Sequence, residues 1–316
     1  MTRYLIGKIL QYVLVLIAVS LIIFVLARLS PTDPVSVILG GKQSSQQTIE
    51  NLRHEFNLDR SAPEQYAIWA SGMIRGDFGK SFKYRQQVSD LIAQRLPVTG
   101  WMVALAALIA IAVAIPAGIV MAVKQHRWQD TAISVTQLFL VACPPFLTAI
   151  IMIWMLYTYA PGIAFTGTAA TFPEFLQRIA LPAIALSFVM IALLSRIMKT
   201  GMAEELRSDY FIAAKAKGMR ERDVIMKHCF RNAIIPVITA LGTMIGILLV
   251  ESVLVEEVFS LQGLGSILVE GVTASDYPLV QGITMFMVFI FMTISTILDI
   301  AYGIIDPRIR KGKALA

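Results

Sequence analysis

Three stretches of this 316-residue chain carry residue types that could do chemistry. "IRGDFGKS" (residues 74–81) ends in Gly79, Lys80 and Ser81, like the tail of a phosphate-binding loop. Such a loop also needs a glycine five positions before Gly79, and Ile74 stands there, so the match is chance. Glu251 and Asp299 are carboxylates that interrupt long apolar runs. A charge in mid-membrane costs about 2.5–3.5 kcal/mol on the insertion scale, so it usually faces a cavity or a partner. Two readings fit Glu251: with Glu256 and Glu257 it marks where a helix leaves the membrane, or it lines a solute path. Asp299, near the inner end of its run, reads as a structural anchor. The third stretch is "DYFIAAKAKGM" (residues 209–219), whose small alanines would let a helix approach a partner's backbone closely.

Other chemistry is missing from the sequence. It contains no HExxH, no GxSxG and no cysteine cluster, and its three histidines, His54, His126 and His228, lie far apart. Cys143 and Cys229 fall at different depths, in lipid or on the reducing side, so no disulfide is expected. A membrane enzyme would need a catalytic constellation, and a stand-alone secondary transporter or channel would need a repeated half, an ion-binding carboxylate pair or a filter motif. The sequence offers none of these.

The elements that must position these residues are membrane spans. Hydrophobic residues make up 57% of the chain and charged residues 15%, against about 25% charged in a soluble domain. Charge-free runs long enough for a bilayer core occupy residues 9–27, 96–123, 131–173, 179–195, 232–250 and 277–298. In the third run Pro161, Gly162, Gly167 and Pro173 break the second half, which leaves one helix from about Thr131 to Tyr159. The expectation is therefore an all-α integral membrane protein with six transmembrane helices. The first run is longer than a signal core and no small-x-small site follows it, so it is expected to be retained.

Lys and Arg number 2, 2, 9 and 4 in residues 1–8, 124–130, 196–232 and 306–316, whereas residues 160–178 and 256–276 hold Arg178 alone. Both ends therefore lie in the cytoplasm. The formal charge of +6 reflects that topology and gives no reason to expect nucleic-acid binding. The organisation expected is an N-terminal span (1–29), an extracytoplasmic segment (30–95), a five-span core (96–305) with a cytoplasmic loop at 196–232, and a cytoplasmic tail (306–316). In the outer segment, "SQQTIENLRHEF" and "PEQYAIWASGMI" place apolar residues at helical spacing, and "VSDLIAQRLP" reads as a surface helix bending into the second span. These form a cap on the membrane helices or a docking surface for a soluble partner.

In the inner loop Ser208 or Asp209 can cap a short helix, and Lys215 and Lys217 suit its last turn. Gly218 is the residue expected where the helix stops in a left-handed turn. A second helical run, "ERDVIMKHCFRNAIIP", leads back to the membrane. Met202, Leu206, Tyr210 and Phe211 add more apolar surface than a free loop would expose.

This loop resembles the cytoplasmic signature of bacterial ABC importer permeases: two alanines, then glycine after three residues, here Ala213, Ala214 and Gly218. The match is closest to the peptide/nickel/opine group, to the first permease of its pair. "DYFIAAKAKGM…FRNAIIP", "LSPTDP", "RGDFGKSF", "RLPVT", "RWQD", "EEVFSLQGLG", "SDYPLVQG" and "DPRIR" occur in the group's order over nearly the whole chain. Departures are Ile212 for the signature's first Glu, Gln262 for a common Pro, Glu251 for a small or apolar residue, and a short loop at 160–178.

The resemblance implies a type I importer permease fold. It implies a second permease, two cytoplasmic ATPase subunits that hold the ATP and magnesium, and an extracytoplasmic solute-binding protein. A coupling helix from about Leu206 to Lys217, with Asp209, Tyr210, Ala213 and Ala214 along it and Gly218 at its end, would sit in an ATPase groove. The chain itself would bind no cofactor and have no catalytic residues. Di- or oligopeptides are the group's commonest cargo, and nickel or an opine-type metal chelate is the alternative.

Overall fold

The computed structural model describes residues 2–29, 33–39, 44–159 and 171–305. The expectations for the tail at 306–316 and for most of the loop at 160–178 lie outside these residues, as does the side chain of Asp299. Helices occupy Thr2–Leu29 (α1), Pro34–Ile38 (α2), Gln46–Glu55 (α3), Ala62–Ile74 (α4), Val88–Val123 (α5), Trp128–Ala142 (α6) and Pro145–Tyr159 (α7). They continue as Phe172–Leu206 (α8), Asp209–Ala216 (α9), Glu221–Val224 (α10), Phe230–Val258 (α11), Leu264–Thr273 (α12) and Tyr277–Ile305 (α13).

Among the described residues five helices are long and apolar enough to cross a membrane, and α6 with α7 forms a bent pair. The single helix expected from Thr131 to Tyr159 is thus two helices that meet at 100°. The break falls at "CPP". Pro144 has no N–H for the helix ladder and pushes the preceding residue out of helical space, and Cys143 is extended (φ −94°, ψ 116°). Counting the pair as one span gives six. Pro173, expected to break a run, instead sits in the first turn of α8, where its missing N–H costs nothing, while Thr171 caps the helix by accepting from the Glu174 N–H.

The chain divides into two compact units, Met1–Thr99 with Gln262–Thr293, and Gly100–Leu261 with Ile294–Ala316. In the first, the expected outer helices are present: α3 is capped by Ser45 and α4 by a Ser61–Glu64 capping box. The segment expected to bend into the second span is the start of one continuous helix, α5. Phe24 of α1 meets Tyr66 and Trp69 of α4 at ring centroid distances of 5.3 and 5.9 Å, and Ser20 Oγ lies 2.8 Å from Tyr66 Oη.

The false phosphate loop is a structural fastener. Ser81 donates to the fully buried carboxylate of Asp276 at 2.5 Å, and the Lys83 and Leu279 N–H groups donate to it at 2.9 and 3.3 Å. Three donors offset the desolvation of a buried charge. Gly79 takes the left-handed φ of +86° that the turn requires. Close by, a Cβ on Gly282 would stand 2.7 Å from Val88 Cγ1 and 3.1 Å from Phe78 Cβ. Buried Thr99 accepts from the Leu264 N–H at 2.8 Å. The motifs "RGDFGKSF", "RLPVT", "GLG" and "SDYPLVQG", dispersed in sequence, therefore meet in one packed region.

Gly282→Val should overpack this region at a cost of about 1–3 kcal/mol. Asp276→Ala should strand the Ser81 hydroxyl and the Lys83 amide at a cost on the order of 1–3 kcal/mol for each group left unpaired. Thermal unfolding of the purified subunit in detergent should show both variants melting several degrees below the parent.

Candidate functional site: the cytoplasmic helix and its supports

The second unit builds its inner end on α8. At 35 residues and 1.5 Å per residue, α8 is about 52 Å long, well beyond a bilayer core of about 30 Å. Much of what reads in sequence as inner loop (residues 196–206) is helix that projects past the membrane. Lys199 of α8 pairs with Asp130 at 2.5 Å, and Asp130 also accepts from the His126 N–H, so the "RWQD" turn is held against α8. One turn deeper Gln137 donates to Ser195 at 2.6 Å, both buried. Gly118 allows α5 to reach α8: a Cβ there would be 2.5 Å from Met198 Cβ and 2.7 Å from the Ser195 carbonyl. Gly201 does the same against α11, where a Cβ would be 3.2 Å from the Ala233 carbonyl.

At this end stands α9. Leu206, expected at the start of the short helix, is the last residue of α8; Arg207 and Ser208 make the turn, and α9 begins at Asp209. Ser208 is the N-cap by position but does not cap with its side chain; its hydroxyl donates back to the Glu205 carbonyl at 2.6 Å. Asp209 in the first turn and Lys215 in the last complement the helix dipole. The helix ends in a full Schellman motif: the Gly218 N–H bonds the Lys215 carbonyl at 2.9 Å, and the Met219 N–H bonds the Ala214 carbonyl at 3.3 Å. Gly218 has φ +78°, and a Cβ there would meet nothing within 4 Å, so the demand for glycine is one of backbone conformation alone.

Asp209, Ile212, Ala213, Ala216 and Lys217 are exposed, at the i, i+3, i+4, i+7, i+8 spacing of one helical face. Ile212 is 61% exposed and Met219, just past the helix, 40%. Met202 of α8 and Phe211 of α9, expected to be presented, are buried instead. Ile212, a departure from the signature in sequence, is part of this exposed face, and its spacing from Asp209 and Ala216 is the local signal for that. Tyr210 is partly exposed and its hydroxyl bonds Glu205 Oε2. Burial, then this bond, pushes the phenol well above the usual tyrosine range, so it stays a donor at physiological pH.

Beyond Gly218 the chain returns through α10, a π-helical turn at Ile225–Cys229, and α11. π turns often mark functional positions where a helix can shift register. Thr239, Thr243, Ile247, Val250 and Leu254 of α11 form an exposed stripe along the helix. Glu251 borders it, one helical turn from Ile247. The helix continues past Glu251 to Val258. Its Oε2 is shielded and has no hydrogen-bond partner among the described residues. The structure thus separates the sequence-derived residues into the exposed face of α9 and one carboxylate beside the exposed stripe of α11.

Several apolar helices long enough to cross a membrane, with a short exposed helix between α8 and α10, define a multi-span helical membrane protein. Comparison with known families makes the assignment specific. Residues 114–311 match the family "Binding-protein-dependent transport system inner membrane component", and residues 1–104 match that family's N-terminal membrane component. The chain belongs to this family. It is 35% identical over 317 residues to the Brucella ovis protein named "Putative peptide permease protein", with 98% of this chain and 99% of the relative covered. It is 32% identical over 310 residues, with the same coverage, to the "Glutathione transport system permease protein" of Escherichia coli K12. The protein is a multi-pass inner-membrane ABC importer permease, a membrane component that is not itself catalytic.

Gly218→Val places a β-branched residue at positive φ, where a non-glycine residue costs about 1–2 kcal/mol, and should unwind the end of α9. Gly218→Asn, which tolerates that conformation, should not. Solute uptake by membranes that contain equal amounts of subunit should fall strongly for the valine variant and stay near the parent level for the asparagine variant.

Proposed function

We propose that this permease pairs with a second, homologous permease to form the path for di- or oligopeptides, which an extracytoplasmic binding protein delivers. Two cytoplasmic ATPase subunits bind and hydrolyse the ATP, with its magnesium, and the chain binds no nucleotide. The observation that carries this reading is the exposed face of α9, apolar and small at Ile212, Ala213 and Ala216, fixed at its base and ended by the Gly218 turn. Close approach of such a face to a groove is suited to transmitting a push, since small side chains leave little slack. Leu206 ends α8 just before the helix, while Asp209 and Lys217 on its exposed face fix orientation in the groove. Peptide cargo is supported by the names of the peptide and glutathione permease relatives and by Glu251. A partly shielded carboxylate beside the bare face of α11 attracts the free amino terminus of a peptide.

Competition uptake tests the cargo and Glu251 together. Membranes that contain the complete transporter should accumulate a labelled dipeptide only with ATP, and nickel should neither be accumulated nor compete. In Glu251→Gln the preference for a dipeptide over its N-acetylated form should fall about tenfold, as expected for loss of a charged hydrogen bond worth about 1.5 kcal/mol. An unchanged preference removes Glu251 from the path, and ATP-dependent nickel uptake without dipeptide uptake overturns the cargo.

A further inference from the structure

The last turn of α8 breaks a local rule. Negative charge at a helix C-terminus opposes the helix dipole, yet Glu204 and Glu205 stand there with no basic residue in the turn. A local penalty of this kind is tolerated where the residue has another task, and the contacts of Glu205 show one. Its Oε2 accepts from the Tyr210 hydroxyl of α9 and from Asn232 Nδ2 of α11 at 3.3 Å. Its backbone carbonyl accepts from the Ser208 hydroxyl in the turn between α8 and α9. One residue of α8 is thus bonded to the docking helix on one side and to the first turn of a membrane-spanning helix on the other.

The placement matters because α8 and α11 are already in near-backbone contact one turn away, at Gly201 and Ala233. Helices packed at that distance cannot slide without a clash. By itself that contact joins α8 to α11 and leaves α9 held by the turns at its two ends, the buried Phe211 ring and the Lys215–Glu221 pair to α10 at 3.0 Å. The shared carboxylate adds the missing link. Resting on the docking role assigned to α9, we propose that Glu205 is a positioning residue for energy coupling: it clamps α9 to both α8 and α11, so that displacement of the docking helix moves the two membrane helices together. Without the clamp, α9 pivots on its turn and the push is spent within the loop. Tyr210 and Asn232 both reach α8 through this oxygen, and a neutral acceptor of the same shape suffices.

The test uses the whole transporter in proteoliposomes, with both permeases, the ATPases and the binding protein, and reads dipeptide molecules imported per ATP hydrolysed at matched subunit content. Glu205→Ala should lower that ratio about tenfold while ATP hydrolysis persists, and Glu205→Gln, whose amide oxygen still accepts, should restore it. Tyr210→Phe should lower the ratio part of the way, and the double variant Glu205→Ala/Tyr210→Phe should be no worse than Glu205→Ala, because both remove one interaction. If Glu205→Ala fails to accumulate in the membrane, Tyr210→Phe and Asn232→Ala decide: a lowered ratio supports the clamp and a normal ratio in both overturns it. A normal ratio in Glu205→Ala, or no rescue by Glu205→Gln, also overturns it. Gly218→Val measured beside them separates the two ideas. If it uncouples while Glu205→Ala does not, the docking role of α9 stands and the clamp fails; if Gly218→Val is also fully coupled, the docking role itself fails.

Discussion

Within the second unit the contact on which most else depends is the approach of α8 to its neighbours through Gly118 and Gly201. In lipid no hydrophobic force drives helices together, because the lipid tails are as apolar as the side chains. Association rests on close packing and on a few polar contacts, and small residues make both possible. Gly201 brings the α11 backbone within reach, which is the condition for Asn232 to find Glu205. Gly118 likewise brings α5 against α8 at Met198, near the depth where Gln137 meets Ser195 and Lys199 meets Asp130. A larger residue at either glycine would separate the helices and break these polar contacts, at greatest cost for the buried pair Gln137 and Ser195.

The same economy governs α9. Eight residues are too few for a helix to be stable alone in water. This one persists because both of its ends are secured: Phe211 is buried and Tyr210 is bonded at the base, and the Schellman turn at Gly218 satisfies the last carbonyls. What remains free is the face of Asp209, Ile212, Ala213, Ala216 and Lys217.

Several features were legible in the residues alone. The apolar runs marked the membrane helices because a bilayer core demands about twenty apolar residues for each helical crossing. Ser45 and Gly218 marked helix ends by local backbone chemistry. The bend between α6 and α7 was also written locally, in the adjacent prolines Pro144 and Pro145, but the uninterrupted apolar pattern across "VACPPFLT" masked it: hydropathy is indifferent to a missing N–H, and the backbone is not. The extension of α8 to Leu206 was obscured in the opposite sense, since Arg196, Lys199, Glu204 and Glu205 ended the apolar run without ending the helix.

Sequence by itself determined the class of protein, the order of the membrane helices and the position of the Gly218 turn, because these follow from hydropathy and from the conformational limits of single residues. Only the tertiary structure decided that Phe211 and Met202 point inward while Ile212 points out, that Ser81 serves Asp276 rather than a phosphate, and that one oxygen of Glu205 joins three helices. Each of those depends on partners distant in the chain, such as Asp276 for Ser81, or on which face of a helix a neighbour covers. Local spacing carries no record of either.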